Sequence, residues 1–247
     1  MMSKESCKMD MCNGPVLQKV IAFSLPLMLS SCLQLLFNAA DVIVVGRFAG
    51  STSLAAVGST TELLSLLTTL FIGFSIGANV NVARTLGNQD DQGTKDGIHT
   101  AVSVSILSGS AMILLGFLFG RPMLQWMGTP ADVIDKASLY LMIIFIGMPS
   151  NMAYNFGSAI LRAMGDTKRP LYFLSAAGVL NVVLNLIFVI VLHMDVAGVA
   201  LATILSETLS AVLILNCLCR TDGPCHLNIR KLYIQKDQLI RMLRIGL

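Results

Sequence analysis

The sequence predicts an all-α fold, a polytopic membrane helical bundle with six transmembrane helices. Three observations carry this. Hydrophobic residues make up 55% of the 247-residue chain and charged residues only 13%, where soluble domains run near one quarter charged. Apolar stretches of the roughly 20 residues that cross a bilayer recur at about 16–45, 54–83, 98–120, 133–161, 171–192 and 196–218. The 17 Lys and Arg gather on alternate connections between them.

The first span follows a polar segment of mixed charge, contains Pro26 and leads into further spans, so it reads as a retained signal-anchor rather than a cleaved signal peptide. Gln34, Asn38 and Asp41 fall at i, i+4 and i+7 and form one polar stripe on a helix. A carboxylate at membrane depth is costly and is a functional candidate by default. Such a stripe faces a protein interior or a water-filled cavity rather than lipid.

The second span carries Glu62, Ser65 and Thr69 at the same spacing nearer its outer end, where Glu62 reads as an interfacial residue. The loop over residues 86–93 is polar and glycine-flanked, a turn between helices. The third span carries no such stripe. Thr129-Pro130-Ala131-Asp132 is predicted to open the fourth helix with a Thr cap, a first-turn Pro and an acid at the positive dipole end.

In the fourth span Asn151, Asn155, Ser158 and Arg162 follow i, i+4, i+7 and i+11; in the fifth, Gly178, Asn181 and Asn185 follow i, i+3 and i+7. In the sixth, Thr203, Glu207 and Ser210 share a face. Ser, Thr and Asn also join helices to one another, at roughly 0.6 kcal/mol per bond. That reading suits the hydroxyls better than it suits Asp41, because a buried carboxylate costs more than it returns as an adhesive. A protonated Glu207 can equally be a hydrogen-bonding strut. His193, beside Asp195 at a span end, reads as a solvated loop residue.

After the sixth span the chain turns basic, with Leu227, Ile229, Leu232, Leu239, Ile240 and Leu243 interspersed, as in a segment lying at a membrane surface. The last residues, 242–247, echo residues 20–25 at the start of the first span. The predicted organisation is therefore a six-helix lobe over 1–219, then a basic linker over 220–247 that ends in the first turn of a truncated seventh helix, Ile245-Gly246-Leu247.

Charge orients the bundle. Lys4, Lys8 and Lys19, then Arg84 and Lys95, then Arg162, Lys168 and Arg169, then Arg220, Arg230, Lys231, Lys236, Arg241 and Arg244 share one side. Only Arg47, Arg121 and Lys136 lie opposite. The positive-inside rule makes both ends of the lobe cytoplasmic, in an integral cytoplasmic membrane protein. No basic patch with stacking aromatics points to nucleic acid. Cys7, Cys12, Cys217, Cys219 and Cys225 fall on the reducing side and Cys32 in the first span, so free thiols are expected. Cys217-x-Cys219 with Cys225-His226 matches no standard zinc spacing. No phosphate-cradling loop and no nucleophile with an adjacent base is present. The expectation is a non-enzyme without cofactor, whose work would be driven by an ion through Asp41.

These residues resemble the multidrug and toxic compound extrusion (MATE) transporters, over their N-terminal half and nearly all of this chain. The carriers are Leu25-Pro26, Gln34 through Asp41, and Val45-Gly46-Arg47; Gly77-Ala78-Asn79-Val80 with Ala83-Arg84; Asn155 with the run from Ile160 to Pro170; Asn181 through Asn185; and Gly198 through Thr203. The resemblance implies one lobe of a two-lobe transporter that exports organic cations or drugs against inward Na⁺ or H⁺, with a missing C-terminal lobe and membrane lipid as partners. It implies a cation site of Asp41, Asn155, Asn181, Asn185 and Thr203, with Na⁺ held by Asp41, Asn181 and Thr203, and with Gln34, Asn38, Asn151 and Glu207 lining the same cavity. Asn185 departs from the family pattern, in which Asp is frequent, and this favours a weaker Na⁺ site or proton coupling. Length is a second departure. The alternatives are a lipid-linked saccharide flippase of the same superfamily, which would need basic residues inside the cavity where this sequence places them at helix ends, and a half-protein that does not transport.

Overall fold

A computed structural model describes residues 16–221 and 223–246. Lys4, Lys8, Cys7, Cys12 and Leu247, which entered the expectations above, lie outside the described residues. The helices are α1 (Val16–Val44), α2 (Ser51–Gly87), α3 (Asp91–Trp126), α4 (Ile134–Ala163), α5 (Lys168–Asn185), α6 (Asp195–Cys219) and a short α7 (Lys236–Gly246). Two π-helical turns, Val45–Ala49 and Leu186–Val191, continue α1 and α5. No strand occurs among the described residues. Six of the helices are long and apolar enough to cross a membrane, as predicted, and they overrun the apolar stretches at their ends.

The bundle is built around α4. Of its most apolar window 61% is buried, against 11% for α1. Hydrophobic attraction between helices is weak in lipid, so close packing must supply the contact, and small residues permit it. A Cβ on Gly109 of α3 would strike the backbone of Pro149 in α4, and one on Gly116 would strike Phe145. On the opposite side of α4, Gly147 and Gly157 receive Ile204 and Ile214 of α6. Large apolar side chains such as Leu35, Leu66, Leu114, Phe117, Val179 and Val191 point away from the bundle, as lipid-facing residues do.

Local chemistry sets the turns. Asp90 caps α3 by accepting the Gly93 N–H at 2.9 Å. At the end of α4, Asp166 N bonds to Leu161 O at 2.9 Å and Gly165 N to Arg162 O at 2.9 Å, a Schellman closure with Gly165 at φ 81°. Asp166 is buried, accepts the Arg169 N–H at 3.1 Å and pairs with the Arg169 guanidinium at 3.1 Å. Burial pushes its carboxyl up, opposed by the N–H groups and positive charges of Arg169 and Lys168. The run from Ile160 to Pro170 is thus largely a folding device that turns α4 into α5. At the other end of the bundle Lys136 joins Asp195 and donates to Ser53 Oγ at 2.9 Å, tying α4, α6 and α2 together.

Two expectations change, the Thr129 cap and the start of the last helix. Thr129 does not cap α4: its Oγ1 is buried without a hydrogen-bond partner, and Val133 and Ile134 bond instead to Pro130 O, so the helix opens at Ile134 after a tight turn. Glu62 and Ser65 are exposed and Thr69 spends its hydroxyl on Ser65 O. The face of α2 that looks inward is the other one, presenting Thr68 and Ile72. The helix expected to begin at Ile245 begins at Lys236. It is held by packing, with Met242 O against Gly77 and Gly246 O against Gly73, and Asn81 donating to Gln238 Oε1 at 2.7 Å. The chain before it is fixed as well: His99 stacks on Tyr233 with ring centroids 5.1 Å apart, and Gln235 N donates to Thr100 Oγ1 at 3.0 Å.

Candidate functional site

A cavity of about 530 Å³ opens between α1, α2, α4, α5 and α6. Its wall takes Gln34, Asn38 and Asp41 from α1, Asn151, Asn155 and Arg162 from α4, Asn181 from α5, and Thr203 and Glu207 from α6. The polar stripes of four helices therefore converge on one space. Phe37 rests against the bare backbone of Gly178, which lets α1 approach α5 closely enough for Asp41 to reach α5.

Hydrogen bonds divide the wall into two groups. In the first, Asn185 donates from Nδ2 to Asp41 Oδ1 and is 3.2 Å from Asn181 Oδ1, while Asn181 Nδ2 approaches Thr203 Oγ1 at 3.5 Å. Thr203 also neighbours the Asp41 carboxylate. In the second, Asn151 donates to Glu207 Oε1 at 2.7 Å and Asn155 donates to Asn151 Oδ1 at 2.8 Å. Asn155, expected beside Asp41, thus belongs with Glu207. Ser158 bonds back to Asn155 O and is absent from the wall. Asn185 is fully buried behind the wall and reaches the site only through Asp41 and Asn181.

The first group offers oxygen donors alone: a carboxylate, two amides and a hydroxyl. That is the donor set of a hard cation. Asn185 Oδ1 is buried with no hydrogen-bond partner, an acceptor next to the carboxylate that a cation could use after the amide turns over. Among the described residues no group of three His, Cys, Asp or Glu is placed to hold a metal.

Sequence reasoning missed Ser30, Ser31, Thr68, Tyr154 and Ser206 on the wall, and it misplaced Arg162. Arg162, assigned to a helix end, lines the cavity, and its Nε is buried with no hydrogen-bond partner. The signal was present in the i+11 spacing of the α4 stripe. An arginine leans toward the N-terminus of its helix, so one at the last turn reaches back toward Asn155.

A family model described as MatE matches residues 26–187. The chain is 34% identical over 202 residues to the probable multidrug resistance protein YpnP of Bacillus subtilis (strain 168), covering 80% of this chain and 44% of that protein. Two solved structures are similar: a MATE in the bent conformation, with TM-score 0.87 and 27% identity over 94% of this chain and 52% of that one, and the outward-facing conformation of a multidrug resistance MATE family transporter of the MOP superfamily, with TM-score 0.88 and 26% identity over 99% and 54%. The chain spans about half the length of the curated relatives it matches.

Proposed function

The chain belongs to the MatE family of transporters, and from that premise we propose that it is the N-terminal lobe of a cation-coupled antiporter that exports organic cations or drugs. One observation supports the reading above others: the Asp41 carboxylate opens onto the cavity while the oxygen-bearing side chains of Asn181, Asn185 and Thr203 surround it. Asp41 takes the coupling ion, Na⁺ or a proton, and an organic cation occupies the larger space. Two carboxyl groups on one wall, Asp41 and Glu207, favour a cationic guest whenever they are ionised.

On this reading the basic end of the lobe faces the cytoplasm. Transport by rocking requires a second lobe opposite this one, and the chain from 220 onward, with α7 docked on α2, is the connection towards it. The flippase alternative rests on Arg162, a guanidinium inside the cavity where phosphate would bind. A single guanidinium facing two carboxylates supports cation export better.

Asp41→Asn tests the proposal. In cells carrying the chain with its second lobe, drug efflux driven by a Na⁺ or pH gradient is lost while expression is unchanged. Resistance at the wild-type level in that variant would refute it. Gradient-driven uptake of a fluorescent cation into liposomes holding this chain alone would refute the need for a second lobe.

A further inference from the structure

Among the described residues Arg162 is the one basic side chain on the cavity wall. Its Nε is buried and unpartnered, and none of the ion pairs among the described residues includes it. The Tyr154 hydroxyl is turned to Pro170 O at 3.4 Å. Arg162 is half-buried on the wall of an open cavity, with a buried Nε that has no partner. Its forked N–H groups suit a planar or tetrahedral oxyanion.

Its position matters as much as its isolation. About three turns of α4 separate Arg162 from Asn151, the residue that holds Glu207. On α1 the wall runs from Leu27 and Ser31 to Asp41, nearly four turns or roughly 20 Å. The acids lie toward one end of this space and Arg162 toward the other. Because the side chain leans back along its helix, the guanidinium lies nearer to the acids than its own Cα does. The wall also carries Ser30, Ser206, Ser210 and Asn155, which donate within their own helices and keep oxygens free to accept from a guest.

We propose that Arg162 is an anion-holding pole of this cavity, so that it takes amphoteric ligands whose cationic nitrogen lies at Asp41 and Glu207 and whose carboxylate or phosphate lies on the guanidinium. This rests on the transport reading and narrows it, since a cavity built for cations alone would gain nothing from an inward-facing arginine.

A pair of rhodamines that differ only in a free carboxylate or its methyl ester separates the two. Both are bound to the purified 247-residue chain in lipid-free detergent at neutral pH and followed by fluorescence anisotropy. The free acid binds about tenfold or more tighter than the ester, the value of a charged hydrogen bond. Arg162→Gln brings the ratio to near one and Arg162→Lys keeps part of it. The ratio is the readout, so a general loosening of the cavity cancels. Equal affinities in the wild-type chain overturn this proposal alone; binding of neither dye overturns the transport reading with it. Dihexanoyl phosphatidic acid carries the same anionic chemistry from a lipid. If it displaces the free acid from wild type, with no such competition in Arg162→Gln, the pole stands with a lipid phosphate among its occupants.

Discussion

The Asn185 amide donates to the Asp41 carboxylate across the contact between α5 and α1. A neutral donor thus sits where a second anion would complete a cation site, and its own carbonyl oxygen is left without a partner. Asn185→Asp replaces the donor by a charged oxygen ligand. Na⁺ binding to the purified chain, measured by isothermal titration, is expected to tighten about tenfold, or ~1.4 kcal/mol. Unchanged affinity together with an unchanged pH profile would place Asn185 outside the ion's reach.

Gly178 holds α1 against α5 through Phe37. A methyl group there overlaps the ring, so Gly178→Ala is expected to destabilise the lobe by about 1–3 kcal/mol and to weaken binding in the cavity. Gly58, which has open space around it, serves as the control. Equal melting temperatures in detergent for the two alanine variants would show that α1 is not held at this point.

Asn81 is buried and donates to Gln238. Gln238→Leu leaves that amide unsatisfied and should cost about 1–3 kcal/mol, whereas changing both residues to leucine recovers most of it. Hydrogen exchange over residues 236–246 reports the result. Faster exchange in the single variant, reversed in the double, is expected; exchange that is the same in all three would mean α7 is held by its backbone contacts with Gly73 and Gly77 alone.

Tyr233 lies outside the membrane-crossing helices. Partial burial and then the Asp96 carboxylate, to which its hydroxyl donates, push its phenol up to about 12. The folded state therefore favours the neutral phenol. The stability this contributes is complete below the ordinary tyrosine value of 10.0 and is lost as pH rises through about 12. The difference in absorbance titration between wild type and Tyr233→Phe should show the step near the upper value, and Asp96→Asn should move it down. A wild-type step at the ordinary value would dissolve the Tyr233–Asp96 contact.

Helical spacing tells which residues share a face but not which way the face looks. That is why the stripes of α1, α4, α5 and α6 were legible, while the one on α2, with Glu62 read as interfacial, told nothing of the inward face. Gln34, Asn38 and Asp41 meet the cavity as read, while Glu62, Ser65 and Thr69 share a face that the packing of α2 on α4 and α7 turns outward. Height along the helix was also hidden. Asn155 sits level with the Asn151–Glu207 pair rather than with Asp41, a fact fixed by how far α4 slides against α6 when Ile204 and Ile214 seat on Gly147 and Gly157. Arg162 escaped because position in the chain located its Cα, whereas side-chain length and lean decide where its charge goes.

The π-helical turns just beyond Asp41 and Asn185 have a consequence for chain length. Such a turn is an α-turn carrying one surplus residue, and a residue removed from it restores the α-ladder. A single deletion within Val45–Ala49 or Leu186–Val191 would leave both site residues in register and the connection beyond them close to its present direction, without the rotation of about 100° that losing a residue imposes on an unbroken α-helix. The same deletion between Gln34 and Asp41 would rotate the carboxylate off the cavity wall by that angle. Tolerance to gain or loss of a residue is therefore one-sided in these two helices, with the freedom stored past the site and none before it.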